Sequence, residues 1–223
     1  MKAIKKSRAA VVLTLIAALI MAFPVVASAD EYQEWTSDNS LPTSGTYKLT
    51  KDVTLETEFS EYPTVRGNLT LDLNGHKVTV GGYGQYAYFV SGNLTIEDSA
   101  GGGKITNEGV TATSKTLIQI NGSGTFTLNG GTLENTSSSG YALFVNSGCT
   151  AYLNGGSVVN TVKNGNAVQF NGGSKGIVDG ATVSNTAEGA VAVFVNGKAS
   201  FELKSGKVST DTTYSSKAAI YAN

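Results

Sequence analysis

Past Ala29 the chain is poor in the groups that most catalysis and cross-linking require. It has one cysteine (Cys149), one histidine (His76), one tryptophan (Trp35) and, beyond the leader, one arginine (Arg66). A lone thiol closes no internal disulfide, and nothing pairs Cys149 with a catalytic base, so it reads as a small apolar residue. Proline is scarce at 3 while glycine reaches 27, a balance of many tight turns and no stiff linker. The remaining basic residues are few: residues 30–223 hold 11 Lys and Arg66 against 17 acids, a formal net charge of 12 − 17 = −5. That balance leaves no footprint for nucleic acid. About 194 such residues suit one domain.

The leader itself is informative. Lys2, Lys5, Lys6 and Arg8 precede an apolar run from Ala9 to Val26, and Ala27-Ser28-Ala29 supplies small residues for cleavage. Residues 1–29 therefore read as a secretory signal peptide cut after Ala29. The expected location is secreted or at the cell surface, with no membrane segment in the mature form. An uncleaved anchor is the alternative, disfavoured by Pro24 and the Ala-Ser-Ala ending.

What is present in abundance is repetition. "GTFTLNGGTLENT" (124–136) returns as "CTAYLNGGSVVNT" (149–161), and aligned positions Leu128, Leu153, Val178 and Leu203 step by 25. A second series, Asn121, Asn146, Asn171 and Asn196, keeps the same step at the ends of "LIQIN", "ALFVN", "AVQFN" and "AVFVN". "AAIYAN" (218–223) starts a further copy, one residue late. Each unit holds three short runs of alternating apolar residues between Gly/Asn turns, too short for helices. Inward positions are Ile118/Ile120, Leu143/Val145, Val168/Phe170 and Val193/Val195 in one run, Ala151/Leu153 in the next, and Leu133, Val158, Val183 and Val208 in the third. A hairpin meander does not explain identical residues recurring at one turn after each strand, whereas a coil of strands does. The expected fold is all-β: a single-stranded parallel β-helix with about 25 residues and three short strands per coil.

The asparagines then have a mechanical role. Seven Asn-Gly pairs mark corners where left-handed backbone is tolerated. Equivalent asparagines about 4.8 Å apart can hydrogen-bond along the stack. Two ladders are expected: Asn121–Asn146–Asn171–Asn196 and Asn135–Asn160–Asn185. Opposite charges also recur one period apart, Asp179 with Lys204 and Lys163 with Glu188. Upstream, coils at 67–80 and 92–107 keep the strand–turn–strand logic with altered spacing and a loop inserted at 98–103. Residues 30–66 are expected to cap the first coil, giving the division 1–29 signal peptide, 30–66 cap and 67–223 β-helix. The chain stops inside a strand-like run, so the expectation is a fragment of a longer protein, the alternative being an edge that docks on something.

"LTLDLNGHKVTV", preceded by "SGTYKLTKDVTL", resembles the opening coils of pectate-lyase-like right-handed β-helix proteins, over about residues 45–223. That family is common among secreted and surface-attached bacterial proteins. Handedness is implied by the resemblance and by the right-handed preference of parallel crossovers. The resemblance speaks for architecture, since this fold hosts lyases, hydrolases, adhesins and passive stalks. Lyases of this kind use a basic residue, typically arginine, with acids holding calcium nearby. Here Arg66 sits at the first coil and Glu134, Asp179, Glu188, Glu202 and Asp211 fall in five different columns, so no calcium cluster forms in the regular coils. "NGHK" (74–77) faintly echoes the glycine-histidine element of polygalacturonases, but only Asp72 lies near His76, and a glycosidase needs a pair of carboxylates. Glu97 and Asp98 beside Gly101–Gly103 are the only other adjacent acids, and a solvated insertion is the simpler reading. No catalytic residue, metal ligand or cofactor is assigned.

The outward positions offer more. Gln119, Phe144, Gln169 and Phe194 alternate aromatic and amide on successive coils, with Tyr152 and Ile177 projecting from the next strand. Flat aromatics beside amides are a common means of gripping sugar rings; the plainer reading is scattered apolar surface. Thr132, Ser157, Thr182 and Lys207 form an interrupted hydroxyl row, a poor ice-binding candidate. The expected function is a non-catalytic secreted or cell-surface module, an adhesin-like stalk or carbohydrate-interacting segment whose partner is a polysaccharide or surface glycan. Two alternatives stand beside it: a polysaccharide lyase or glycoside hydrolase fragment lacking its catalytic coils, and a structural protein that self-associates edge to edge.

Overall fold

The computed structural model describes residues 31–55, 62–81, 86–109, 115–137, 139–187, 190–211 and 218–223. The signal peptide expected at 1–29 lies outside them, as do Glu188 and part of the expected cap. From Tyr32 to Asn223 the chain forms one compact unit, with no helix among the described residues.

Its strands stack in parallel on three faces of a coil. The first face is built from Gly45–Leu49, Asn68–Asp72, Asn93–Glu97, Thr125–Leu128 and Thr150–Leu153. The second holds Val53–Leu55, Lys77–Val80, Lys104–Thr106, Thr132–Asn135 and Ser157–Asn160. Two 11-residue strands, Lys175–Asn185 and Ser200–Thr210, run round the corner and continue both faces. On the third face lie Thr64–Val65, Tyr88–Val90, Lys115–Ile120, Ser139–Val145, Asn164–Phe170, Val193–Val195 and Ile220–Ala222, seven strands separated by six turns of the coil. This is the expected parallel solenoid, and paired asparagines of its later coils keep the step of 25.

Alternation places the core as the sequence implies. Leu143, Val145, Ala151, Leu153 and Val158 are fully buried, as are Ile118, Ile120, Val168, Phe170, Val183 and Val193. The core is fitted coil by coil rather than uniformly. Phe126, Ala151, Gly176 and Phe201 occupy one inward column of the first face. A Cβ built on Gly176 would lie 2.1 Å from the Phe170 ring, whose other neighbour is the Phe201 ring at 5.8 Å. Glycine is required there because a phenylalanine from the third face fills the space its side chain would take.

The stack already begins inside the stretch assigned to the cap. Gly45–Leu49, Val53–Leu55 and Thr64–Val65 pair in register with the coil that follows, and Gln33–Trp35 adds a strand on Tyr47–Leu49. Trp35 packs edge-on to Tyr47 at 5.3 Å and donates its indole N–H to Ser40 O at 2.9 Å. At the other end Val193 pairs with Ile220, so the "AAIYAN" copy is two residues late rather than one. The two extra residues fall between Thr210, which keeps the regular step from Asn185, and Ile220. Leu203 and Ile220, on core-facing positions of this last coil, are 44% and 37% exposed.

The expected pairing of Asp179 with Lys204 does not form. The register shifts between Val178 and Asp179, so Asp179 faces Ser205 and accepts its hydroxyl at 2.8 Å. Gly180, at φ +117, marks this irregularity.

Candidate functional site

The third face carries the candidate site. Its outward side chains on successive coils are Thr64, Phe89, Gln119, Phe144, Gln169, Phe194 and Tyr221, each directly opposite the next. Strand alternation turns them outward because their neighbours Val90, Ile120, Val145, Phe170 and Val195 point into the core. The four residues singled out from the sequence thus stand in one unbroken column. Phe89 and Tyr221 join it unannounced, because the steps from Tyr88 to Ile118 and from Val193 to Ile220 both exceed the regular period. Tyr152 is not part of the column: it lies on the first face between Thr127 and Ile177. Ile177, expected outside with it, is only 4% exposed and stands apart from the continuous apolar core.

Tyrosines three positions upstream in the chain enlarge the column. Tyr141 stacks on Phe144 with ring centres 5.1 Å apart, and Tyr86 lies 5.9 Å from Phe89. Tyr62 completes a three-ring group with Tyr86 and Phe89, at 5.2 and 5.6 Å. Phe194 stacks on Tyr221 at 5.4 Å and an interplanar angle of 19°. Burial, and then the neighbouring Tyr62 hydroxyl, raises the Tyr86 phenol above its ordinary value, so it stays an uncharged hydrogen-bonding group. The coils between are polar but neutral. Asn166 Nδ2 reaches Gln169 Oε1 at 3.4 Å, and Thr116 precedes Gln119 at the position Tyr141 takes beside Phe144. Three aromatic groups therefore alternate with two amide coils, and none of these residues is charged. The second face differs: Lys77 and Lys104 align there, and Lys104 Nζ bonds Glu134 Oε2 at 2.8 Å.

The acids singled out upstream serve as ties between coils. Asp72 lies directly opposite Glu97 and Lys48, and is 1% exposed. Its Oδ1 accepts the amides of Asn74 and Ser99 at 2.9 and 2.8 Å, and its Oδ2 accepts the Ser99 hydroxyl at 2.6 Å beside Lys48 Nζ at 3.1 Å. Burial pushes the Asp72 carboxyl up, but the Ser99 hydroxyl and amide, the Asn74 amide and Lys48 outweigh it and hold it below its ordinary value. Tyr32 donates its hydroxyl to Glu97 Oε2, and Asn129 Nδ2 reaches Glu97 Oε1 at 3.3 Å. Asp98 accepts the amides of Gly75 and Gly103, both at 2.7 Å. Each carboxyl oxygen of the three acids thus has a donor. His76 Nδ1 lies 3.4 Å from Asp52, whose carboxylate also accepts the Lys77 amide. Arg66 is exposed beside Val65, and Cys149 is buried. Among the described residues no group of three His, Cys, Asp or Glu could hold a metal ion.

Amide bonds tie the later coils. Asn146 Nδ2 donates to Asn121 Oδ1 and Asn196 Nδ2 to Asn171 Oδ1 at 2.8 Å. In the second column Asn107 donates to Asn135 at 2.8 Å and Asn135 to Asn160 at 2.7 Å. Asn185, placed in that ladder from the sequence, instead donates to the backbone carbonyls of Gly165 and Val191, at 3.0 and 2.9 Å. Besides Asn107 with Asn135, two pairs escaped the sequence reading, Asn93 with Asn68 and Asn154 with Asn129. Their signal was present: the identical "GNLT" openings, and "LNGG" repeated one period on.

No protein-family model, curated protein or solved structure matches the chain.

Proposed function

We propose that this chain is a non-catalytic solenoid of a secreted or cell-surface protein that holds a polysaccharide against its third face. The observation that carries the reading is the uncharged column from Phe89 to Tyr221, in which aromatic groups and amides alternate from Phe89 to Phe194 and Tyr221 adds a last ring. Sugar rings combine an apolar face with a rim of hydroxyls, so aromatic rings and amides are complementary to them. The basic and apolar leader supports export, and the resemblance of 45–223 to pectate-lyase-like β-helices supports a bacterial surface setting. The carboxylates of Asp72, Glu97 and Asp98 have a structural role as ties within and between coils, which accounts for them without catalysis.

Size-exclusion chromatography of the purified protein with labelled plant, host and bacterial polysaccharides tests this. The expected result is a polymer that co-elutes with the protein at unchanged length, and loses that shift in Phe144→Ala/Phe194→Ala. A polymer that shortens on incubation would overturn the non-catalytic reading.

A further inference from the structure

We infer that the ligand class of the third face is a neutral, extended β-1,4-linked glycan lying parallel to the solenoid axis, one sugar to each coil. The inference deepens the reading above and rests on it.

Period comes first. Phe89, Phe144 and Phe194 stand on every second coil, the first two beside a tyrosine of their own coil and Phe194 stacked on Tyr221 of the next, and Gln119 and Gln169 stand between them. Coils are about 4.8 Å apart, so the aromatic groups repeat about every 10 Å. In an extended β-1,4-linked chain each sugar is turned over relative to the last, so the same ring face returns at every second sugar. A stiff chain whose sugar length is close to the coil spacing thus offers one apolar ring face to each aromatic group. The sugar between turns its hydroxyls to Gln119, or to Gln169 with Asn166. Glucans with α-1,4 or β-1,3 linkages coil on themselves and do not hold this two-sugar repeat along a straight face.

Charge comes second. The column and its companions hold no ionisable group apart from tyrosine, and Tyr86 is pushed further towards its neutral form. Charged side chains stand on the second face instead, where Lys77 and Lys207 share a column with Lys104, itself paired with Glu134. An uncharged column selects a neutral polymer.

Length follows from the count. From Phe89 to Tyr221 the column spans six coils, Phe89, Gln119, Phe144, Gln169, Phe194 and Tyr221, and so six sugars.

Isothermal titration of the full purified protein with cello-, manno-, laminari- and malto-oligosaccharides of increasing length, and with polygalacturonate, tests the inference. Expected is preference for the cello- or manno-series, with affinity rising with length and levelling off at about the six sugars the column spans. The swap Phe144→Gln/Gln169→Phe keeps the number of aromatics and destroys their two-coil spacing. It should weaken that binding about tenfold, the loss of one ring contact, while the melting temperature holds. If laminari- or malto-oligosaccharides or polygalacturonate bind best, and Phe144→Ala/Phe194→Ala abolishes that binding, the inference falls while the polysaccharide reading stands. Equal binding by the swapped and parent proteins overturns the spacing argument. Should no polymer bind, both fall together.

Discussion

The coils before Gly109 and those after Lys115 share one geometry but are tied by different chemistry. The early coils add an ionic column to an amide tie between Asn93 and Asn68: Lys48, Asp72 and Glu97 stack in that order, with Ser99 and Tyr32 supplying donors. In the later coils the tied neighbours are the same residue, as in Asn146 on Asn121, Asn160 on Asn135 and Asn196 on Asn171. An amide both donates and accepts, so asparagine can stack on asparagine without limit. A carboxylate only accepts, so two on adjacent coils need donors of a different kind on either side. Self-complementary ties permit an exact repeat. The later coils keep one constant step, whereas the early ones become uneven where the chain lengthens between strands, as between Asn93–Glu97 and Thr125–Leu128.

The comparison can be broken most severely in the core. Val168→Asp places a charge between Leu143 and Val193 on a fully buried position, a cost of several kcal/mol. Hydrogen exchange should then show protection lost across the later coils, and melting like the parent would mean that inside and outside are reversed. Gly176→Val comes next, because its side chain must displace the Phe170 ring, at a cost of about 3 kcal/mol. Its effect should fall on the later coils alone; equal loss of protection in both regions would show that they unfold as a unit.

Smaller changes sharpen the contrast between ionic and amide ties. Asp72→Asn should cost roughly 1.5–3 kcal/mol, through weakened bonds from Ser99 and Lys48, and loosen the early coils in hydrogen exchange. Acid should do the same to the parent protein. The Asp72 carboxyl is held below its ordinary value of 3.8, so folding favours its ionised form. That contribution is present above about pH 4 and is lost as pH falls through the folded-state value. Exchange measured down to about pH 3 should show the early coils opening before the amide-tied ones; the reverse order would refute an ionic tie at Asp72. The smallest effect belongs to the third face: Phe144→Ala with Phe194→Ala should change stability by about 1 kcal/mol per ring at most, measured by denaturant unfolding. A larger loss would make those rings part of the core rather than of a binding surface.

Legibility followed the same division. The later coils announced themselves, since a self-complementary tie must recur in the sequence at the coil period. The early coil at Gly45–Val65 was hidden in a stretch read as a cap: Thr46, Val53, Thr54 and Val65 stand opposite the same residue types one coil on, but no turn asparagine marks their period. Half of the aromatic face was legible, Phe144 and Phe194 lying in the regular coils. Phe89 and Tyr221 were not, because insertions lengthen the coils that separate them from the strands they pair with. Asn185 and Asp179 left their expected partners where a loop carbonyl or a bulge offered a nearer one.

Periodicity alone therefore determined the coil, its three short strands and the residues that line its core, since alternation decides facing wherever one side is dry. The meeting of Tyr62, Tyr86, Phe89, Tyr141, Phe144, Phe194 and Tyr221 on one face was decided only in three dimensions. Loops between strands can lengthen without disturbing the backbone register of the stack, so distance along the chain ceases to report which side chains become neighbours.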